Sequence, residues 1–361
     1  MRTVLYDEHV KSGAKVIDFH GWEMPLQYTG IIDEHMAVRT RVGIFDVSHM
    51  GDVVISGKDA YDFVNMLFPS NISKLKDGTA MYTTFLNNEG FMIDDTVLYR
   101  LSDDRYFFVP NAATTDTIKR WVEHNSEGYN VKINDYSRRI SCVAVQGPLS
   151  GEVSERLGYN VFPKSFTFIL EKGSSPNSIT SDRDVIISGT GYTGEKGFEI
   201  LVPNEDAIEL WKKTVSIIRE IDGRLCGLGS RDSLRMEKGM LLSGTDFNSD
   251  RTPYEASISF VVDTEKDFIG KIAMLEKKKS QKELFRGFIV DSKIIPRNGD
   301  LIYKDGRRIG KVTSGTYSPI LKKSIALGYI DREFYKSGTV VDISTRGKML
   351  TASVHKPRLV P

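Results

Sequence analysis

The spacing of apolar residues changes between a helical and an extended pattern over the first 280 positions. Apolar side chains three or four positions apart predict amphipathic helices over residues 114–125 and 206–218. A further helix is predicted over residues 33–42, with Asp33 as its N-cap and Gly43 as the residue that ends it. Helices of ordinary length therefore recur through this region.

Strand patterns lie between these helices. Residues 81–86 and 91–99 form the strongest strand signal, and the Asn-Asn-Glu-Gly sequence between them predicts a hairpin. Further strands are predicted over residues 51–57, 106–109 and 140–145. Because strands and helices do not follow the regular spacing of βαβ units, the pattern favours an α+β fold over a doubly wound sheet.

The pattern changes past Leu284, where helical spacing disappears. Short strands and turns crowd together there, over residues 286–290, 300–303, 311–314, 324–329 and 338–343. About 75 residues of this pattern predict a small β-barrel. We therefore expect an α+β region over residues 1–280 and a C-terminal barrel over residues 284–361. The lysine-rich stretch at residues 277–282 is expected to be a solvated linker.

Composition excludes several classes of protein. The 361 residues are 40% hydrophobic and 27% charged, which is typical of a soluble globular protein. A net charge of +1 gives no reason to expect nucleic acid as a partner. Two cysteines, Cys142 and Cys226, fit a reducing cytoplasm better than a disulfide framework. The N-terminus lacks the apolar core of a signal peptide, and no apolar run reaches the roughly 20 residues of a membrane span. We expect a cytoplasmic protein without membrane contact.

Asp95 is unusual within the predicted strand over residues 91–99. Side chains of a strand alternate between two faces. The face that carries Asp95 also carries four apolar or aromatic residues, Phe91, Ile93, Val97 and Tyr99. An ionised carboxylate in such surroundings costs several kcal/mol unless it is paired. Asp95 therefore either lines a pocket or meets a partner, such as an arginine or a backbone turn. Its neighbour Asp94 points to the other face and is expected to be solvated.

The segment Gly189-Thr-Gly-Tyr-Thr-Gly194 matches the GxGxxG pattern of dinucleotide-binding loops. That fingerprint needs a helix after the glycines, whereas residues 195–202 have a strand pattern. The glycines are therefore expected to form a tight hairpin tip, or to admit a ligand close to the backbone. Tyr192 at this tip either stacks on a flat ring or packs against the protein.

Asn111, Glu199 and Arg231 each have a structural and a functional interpretation. Asn111 ends an apolar face if the strand over residues 106–109 continues, and an amide there is often a turn former. Glu199 is an acid between apolar neighbours in a strand, which leaves the same two interpretations as for Asp95. Arg231 follows Ser230, the expected N-cap of a helix, where a cation is poorly placed for the helix dipole. That position favours a role in a site over a simple surface position.

A metal site receives little support. His49 is one of six histidines, and neither HxH nor HxxxH spacing occurs among them. The residues by themselves indicate acids on apolar strands and a tyrosine that can stack, and they do not name a reaction.

Short segments spread over nearly the whole chain carry a resemblance to a known family. They are Asp18-Phe-His-Gly-Trp-Glu-Met-Pro25, Asp46-Val-Ser-His-Met-Gly51, Gly90-Phe-Met-Ile-Asp-Asp95, Gln146-Gly-Pro148, Thr190-Gly-Tyr-Thr-Gly-Glu195, Gly197-Phe-Glu199, Gly227-Leu-Gly-Ser-Arg-Asp232, Asp267-Phe-Ile-Gly270 and Thr313-Ser-Gly-Thr-Tyr-Ser-Pro319. In this order they resemble the glycine cleavage T-protein family.

The resemblance implies a fold of three lobes around a central hole that binds tetrahydrofolate. Two lobes are α+β, and the last is a β-barrel. The implied function is that of an aminomethyltransferase, to which the H-protein brings an aminomethyl group on a lipoyl arm in a transient complex. The implied products are methylene-tetrahydrofolate, ammonia and the dihydrolipoyl arm. Other components of the glycine cleavage system are implied partners.

The resemblance also assigns roles to individual residues. The essential acid of the family falls on Asp95, which is expected to orient the folate and steer a proton. Five residues are expected to contact tetrahydrofolate: Tyr82, Asn111, Tyr192, Glu199 and Arg231. Among them, Glu199 corresponds to the acid that binds the amino edge of the pterin, and Tyr192 to a stacking aromatic.

Some positions depart from the family pattern. Members commonly have tyrosine where Ser243 stands, tryptophan where Phe260 stands, and an aromatic ending where this chain has residues 358–360. The same fold serves folate-dependent demethylases of small methylated amines or sulfonium compounds, which are the first alternative. It also serves a folate-binding iron–sulfur assembly factor without known transfer activity, which is the second. The retention of Asp95 favours catalysis.

Overall fold

A computed structural model describes residues 1–159, 162–172 and 184–361 of the chain. Its helices are α1 Tyr6–Lys11, α2 Ile31–Thr40, α3 Ala60–Leu67, α4 Thr115–Asn125, α5 Ser150–Leu157, α6 Asn204–Glu220, α7 Leu228–Glu237 and α8 Lys271–Lys279. Its strands are β1 Lys15–Phe19, β2 Trp22–Gln27, β3 Gly43–Asp46, β4 Val53–Ser56, β5 Thr79–Leu86, β6 Met92–Ser102, β7 Arg105–Phe108, β8 Lys132–Asp135, β9 Ile140–Gln146, β10 Phe168–Lys172, β11 Asp184–Ser188, β12 Gly197–Pro203, β13 Arg224–Leu225, β14 Glu283–Val290, β15 Leu301–Lys304, β16 Arg307–Ser318, β17 Lys323–Asp331, β18 Val340–Thr345 and β19 Lys348–His355. The α+β prediction is confirmed.

Three predicted details of the helices are wrong. Helix α2 begins at Ile31 rather than at Asp33, because the buried carboxylate of Glu34 accepts hydrogen bonds from the backbone N–H groups just before it. Helix α7 begins two residues before Ser230, so that Ser230 is not its N-cap. The first half of the stretch expected to be a linker, residues 277–279, belongs to helix α8 and forms its last turn. Cations in a last turn suit the helix dipole.

The described chain divides into two compact units. The first comprises Met1–Val64, Ile72–Tyr82 and Thr96–Arg231, and the second comprises Asn65–Asn71, Thr83–Asp95 and Asp232–Pro361. The boundary that the sequence places between residues 280 and 284 stays a prediction. Among the described residues we find no helix whose length and apolarity would suit a bilayer crossing.

A six-stranded sheet forms the centre of the first unit. Its strand order is β10-β11-β12-β9-β3-β13, antiparallel at most contacts and parallel between β3 and β13. Helices α5 and α6 bury their apolar stripes against one face, where Trp211 and Ile218 of α6 meet Val145 and Phe198 of the sheet. The spacing of Trp211 and Ile218, seven residues apart, places both side chains on one side of α6. The helical prediction over residues 206–218 is thus confirmed.

Strand β12 distributes its residues between two environments. Phe198, Ile200 and Val202 join the core under the helices, whereas Leu201 joins a second cluster that contains Tyr99 and Phe107. Because side chains alternate along a strand, Glu199 projects on the same side as Leu201. The acid therefore lies away from the helix-covered core.

A second sheet has the strand order β5-β6-β7-β4-β8. Its first two strands are the predicted hairpin, with the amide of Asn87 bonded to the carbonyl of Phe91 across the turn. The prediction of a hairpin is confirmed.

The C-terminal part of the second unit is a closed barrel with the strand order β14-β17-β16-β15-β18-β19. Its interior contains alternate residues of each strand, among them Phe288, Ile302, Val312 and Ile343. The predicted barrel is confirmed, but the sequence did not predict β19. A turn with positive φ at Arg346 and Gly347 joins β19 to β18 and matches the right-handed twist of the hairpin.

Candidate functional site

The hairpin of β11 and β12 carries the loop over residues 189–196, which confirms the predicted hairpin tip. Two glycines near this tip have a packing reason. A Cβ on Gly191, within the loop, would lie 2.2 Å from Oε1 of Gln146, and one on Gly197, the first residue of β12, would lie 2.6 Å from its Cδ. The Gln146 side chain is buried, donates to the carbonyl of Thr190 at 3.1 Å and accepts from the Thr193 hydroxyl at 2.7 Å. Gln146 thus holds the loop in one conformation.

Glu199 faces a small polar cluster at the base of this loop. Its Oε2 accepts a hydrogen bond of 2.5 Å from the Thr190 hydroxyl, whose oxygen lies 3.2 Å from the Tyr99 hydroxyl and 2.9 Å from that of Ser188. Among the described residues, Oε1 of Glu199 receives no hydrogen bond. Glu199 is half-buried, so this oxygen remains able to accept from a ligand.

Arg231 lies in α7 with its guanidinium 4.8 Å from the centre of the Tyr192 ring, a distance that suits a cation–π contact. Burial lowers the pKa of Arg231, and the nearby Glu199 carboxylate opposes that shift. The Nη1 atom of Arg231 is buried and has no hydrogen-bond partner in the described part of the chain. A buried donor without a partner costs about 1–3 kcal/mol, and a ligand acceptor would remove that cost.

Glu199, Tyr192 and Arg231 are therefore brought together in the first unit, as the sequence interpretation expected. They offer a charged acceptor, a charged donor and an aromatic face. This combination fits a flat heterocycle whose edge carries both N–H groups and a carbonyl.

Asn111 and Tyr82 also belong to the first unit. The strand that precedes Asn111 ends at Phe108, so its predicted face does not continue to Asn111. Instead, the carbonyl of Asn111 accepts from the Thr114 amide at 3.0 Å and the Thr115 hydroxyl at 3.0 Å, just before α4. Asn111 thus lies in the turn before α4, and the role of its side-chain amide stays a prediction. Both the Asn111 and the Tyr82 side chains are half-buried.

Asp95 lies on β6 in the second unit and is 8% exposed. The expectation that its neighbour Asp94 is solvated is wrong, because Asp94 is fully buried. The physical reason is that β6 is an inner strand between β5 and β7, and its residues near Asp95 are buried on both faces. Alternation of the sequence alone could not show this.

Sequence reasoning did not assign a role to Asp46 or to its partners. Asp46 is buried and accepts from Nε2 of His9 at 2.8 Å and the Thr3 hydroxyl at 2.7 Å, while Tyr28 lies 2.9 Å from Nδ1 of His9. Burial by itself would raise the pKa of Asp46, but its hydrogen bonds outweigh burial and lower that pKa to about 2. The one signal in the sequence was an acid at the end of the apolar run that becomes β3.

His49 follows this network and is also buried. Among the described residues no three side chains that ligate metals come together as a possible metal centre, His49 included. Burial lowers the pKa of His49 to about 4, and the Arg231 cation adds to that shift. The imidazole is therefore neutral near pH 7.

Comparison with known proteins identifies the family. Residues 5–266 match the family model described as the GCVT N-terminal domain, and residues 285–360 match the glycine cleavage T-protein C-terminal barrel domain. An aminomethyltransferase of Bacillus velezensis is 42% identical over 98% of this chain and 96% of its own length. One of Thermotoga sp. (strain RQ2) is 38% identical over 98% of this chain and 96% of its own length.

A solved structure supports the same family assignment. The glycine cleavage system aminomethyltransferase T from Bartonella henselae superposes with a TM-score of 0.92 at 31% identity, over 100% of this chain and 98% of that one. The family models and these relatives define a folate-dependent transferase. The chain belongs to the glycine cleavage T-protein family, as the sequence resemblance predicted. A T-protein function in the glycine cleavage system is supported, and neither a demethylase nor an assembly factor is favoured.

Proposed function

We propose that this chain transfers the one-carbon unit from the aminomethyl-dihydrolipoyl arm of H-protein to tetrahydrofolate, with release of ammonia and formation of methylene-tetrahydrofolate. One observation carries the placement of the folate. The buried guanidinium of Arg231 has an unused Nη1–H group beside the carboxylate of Glu199 and the ring of Tyr192.

The reduced pterin fits these side chains. Its amino group and adjacent ring N–H are donors on one edge, which suits the uncommitted oxygen of Glu199. The carbonyl beside them suits the unused donor of Arg231, and the ring can lie against Tyr192. We assign Tyr82 and Asn111 to further contacts with the same ligand, as the family resemblance implies. The contact assigned to Asn111 concerns its side chain, whereas the hydrogen bonds described above involve its backbone carbonyl.

Tetrahydrofolate supplies the nitrogen nucleophiles that receive the carbon. The protein orients that ligand and excludes water from it, because the groups that bind it are held before it arrives. We assign Asp95 the role of orienting the folate and holding a proton as the new carbon–nitrogen bond forms. Its burial, at 8% exposure, favours such a role over that of a surface acid.

The partner in this proposal is the lipoyl-bearing H-protein, and the complex is transient. With a net charge of +1 the chain has little overall field to steer association, so docking depends on a local patch. We expect an affinity in the micromolar range, roughly −8 kcal/mol. The other components of the glycine cleavage system are proposed partners as well. A cytoplasmic location is part of the proposal.

The decisive experiment incubates the purified chain with aminomethylated H-protein, with and without tetrahydrofolate, and measures ammonia. We expect release to depend on both components, and free aminomethyl-dihydrolipoamide to be a far poorer substrate. If the chain ignores H-protein but demethylates a small amine or sulfonium compound with tetrahydrofolate, the proposed substrate is wrong while the folate site remains.

A further inference from the structure

His49 is a buried polar side chain without any hydrogen bond in the described part of the first unit. It is 4% exposed, and its Nδ1 atom is enclosed and has no partner. Its ring meets the Phe19 ring edge to face, with 5.6 Å between the centroids. A buried polar atom left in this state is unfavourable by itself, and a polar group of a bound ligand would remove that cost.

The backbone that carries His49 is held firmly. Oδ1 of Asp46 accepts from the amide of Ser48 at 2.9 Å, and its Oδ2 is bonded to Thr3 and His9. The Ser48 hydroxyl accepts from the amide of Cys142 at 3.0 Å, which ties this loop to β9. The unused nitrogen of His49 therefore belongs to an anchored loop and not to a loose side chain.

Arg231 is close enough to His49 to act on its charge state. Burial lowers the pKa of His49 to about 4, Asp46 opposes the shift, and both Arg231 and the exposed His20 add to it. Arg231 also keeps a buried nitrogen unused and lies beside Glu199. The first unit thus holds two unused buried nitrogens that share one electrostatic environment.

We propose that Nδ1 of His49 is a further contact to the folate that Glu199 and Arg231 bind, an inference that rests on the proposed function. An uncharged imidazole offers one N–H and one lone pair, so it can bond the polar edge of a reduced pterin without adding a second cation beside Arg231. His49 then acts in binding and orienting the folate, and Asp46 with His9 positions the loop that carries it.

The position of the contact on the ring makes the proposal testable. When asparagine replaces the histidine, its side-chain amide nitrogen lies near the former position of Nδ1. When glutamine replaces it, the side-chain amide nitrogen reaches the former position of Nε2. We compare His49→Asn and His49→Gln by calorimetry with 5-formyltetrahydrofolate, a stable reduced folate, near pH 7. His49→Asn should bind within about threefold of the original protein, and His49→Gln about tenfold more weakly, the effect of one hydrogen bond. His124→Gln, on the exposed side of α4, is the matched control and should change nothing.

A third variant separates binding from a structural role. His49→Leu removes the unpartnered nitrogen, so the folate-free protein should be as stable to urea as the original, or more stable, while its affinity for 5-formyltetrahydrofolate falls at least about tenfold. A purely structural histidine would give the reverse, with lower stability and unchanged affinity. If His49→Leu does not fold, the asparagine and glutamine pair decides.

The outcomes distinguish this inference from the proposed function. If the original protein binds no reduced folate, the proposed function fails and this inference fails with it. If the original protein binds and Glu199→Ala weakens binding, but His49→Gln binds as well as the original, only this inference is overturned. Tighter binding by His49→Gln than by His49→Asn would also overturn it, since the contact would then not be at Nδ1.

Discussion

Replacement of Glu199 tests the folate site most directly. In Glu199→Ala the donors of the pterin lose a charged acceptor, and in Glu199→Gln they meet an amide that keeps the shape of the side chain without its charge. Truncation of one partner of a buried, charge-assisted pair costs about 1–3 kcal/mol, which corresponds to an affinity loss of about 5- to 150-fold. Both variants should therefore bind reduced folate more weakly.

The two variants should differ in stability. The Thr190 hydroxyl, 2.5 Å from Oε2 of Glu199, keeps an acceptor in Glu199→Gln and loses it in Glu199→Ala. Both variants leave the buried guanidinium of Arg231 without the charge that favours its protonated form, so this effect does not separate them. We expect Glu199→Ala to be less stable than Glu199→Gln by about 1 kcal/mol, the net value of a typical hydrogen bond.

Calorimetric titration with 5-formyltetrahydrofolate and urea unfolding without ligand measure the two effects separately. Glu209→Ala, which removes an exposed acid from α6, is the control and should leave both unchanged. Normal affinity in Glu199→Gln would refute the reasoning, because the pterin donors cannot then depend on the carboxylate.

Three further predictions follow from the described geometry. Asp95→Asn should lower the rate of ammonia release by about tenfold to a hundredfold with little change in the melting temperature, and near-normal turnover would make Asp95 structural. Asp46→Asn should destabilise the fold by about 2 kcal/mol near pH 7, because the pKa of Asp46 is lowered to about 2. That difference should disappear as the pH falls from about 4 toward 2, where the original protein loses the same stabilisation, and urea unfolding across this range checks it. Gly191→Ala should cost about 1–3 kcal/mol, since its Cβ would lie 2.2 Å from Gln146, whereas Gly151→Ala, with its nearest neighbours at 3.9 Å, should cost nothing. Adding Gln146→Ala to Gly191→Ala should recover part of that loss, and equal melting temperatures of the two glycine variants would exclude the clash.

The sequence predicted an element of the fold correctly where the pattern within one segment was sufficient to recognise it. The turn Asn-Asn-Glu-Gly and the switch to short strands past Leu284 each needed no distant partner to be recognised. The lysines at the end of helix α8 were misread as part of a linker because Met274 is the one buried residue of that helix, so its apolar stripe is too thin to detect. Strand β19 was missed although Leu350 and Val354 both reach the barrel interior. One of its inner positions is the small Ala352, and hydroxyl residues lie between the inner positions, which together give a weak strand signal.

The candidate site was predictable residue by residue but not as an arrangement. Glu199 could be recognised as an acid among apolar residues, and Tyr192 by its place among the glycines of the hairpin tip. Each of the two stood out from its own neighbours in the sequence. The environment of His49 depends on the nearby Asp46 and also on Phe19 and Arg231, which come from distant parts of the chain. Only the fold brings these groups together, so sequence reasoning could consider His49 merely as a metal ligand.

The buried carboxylate of Glu34 has a consequence for synthesis of the chain on the ribosome. Its Oε1 accepts from the amides of residues 28–30, while its Oε2 accepts from the amide of Gly227, 193 residues later. At 5–20 residues per second the second set of donors emerges about 10–40 s after the first. During that interval the edge of β3 that later pairs with β13 is open, because residues 224–225 have not been made. The N-terminal half of a nascent chain must therefore persist with an uncovered strand edge, and strand β13 is the piece that closes it.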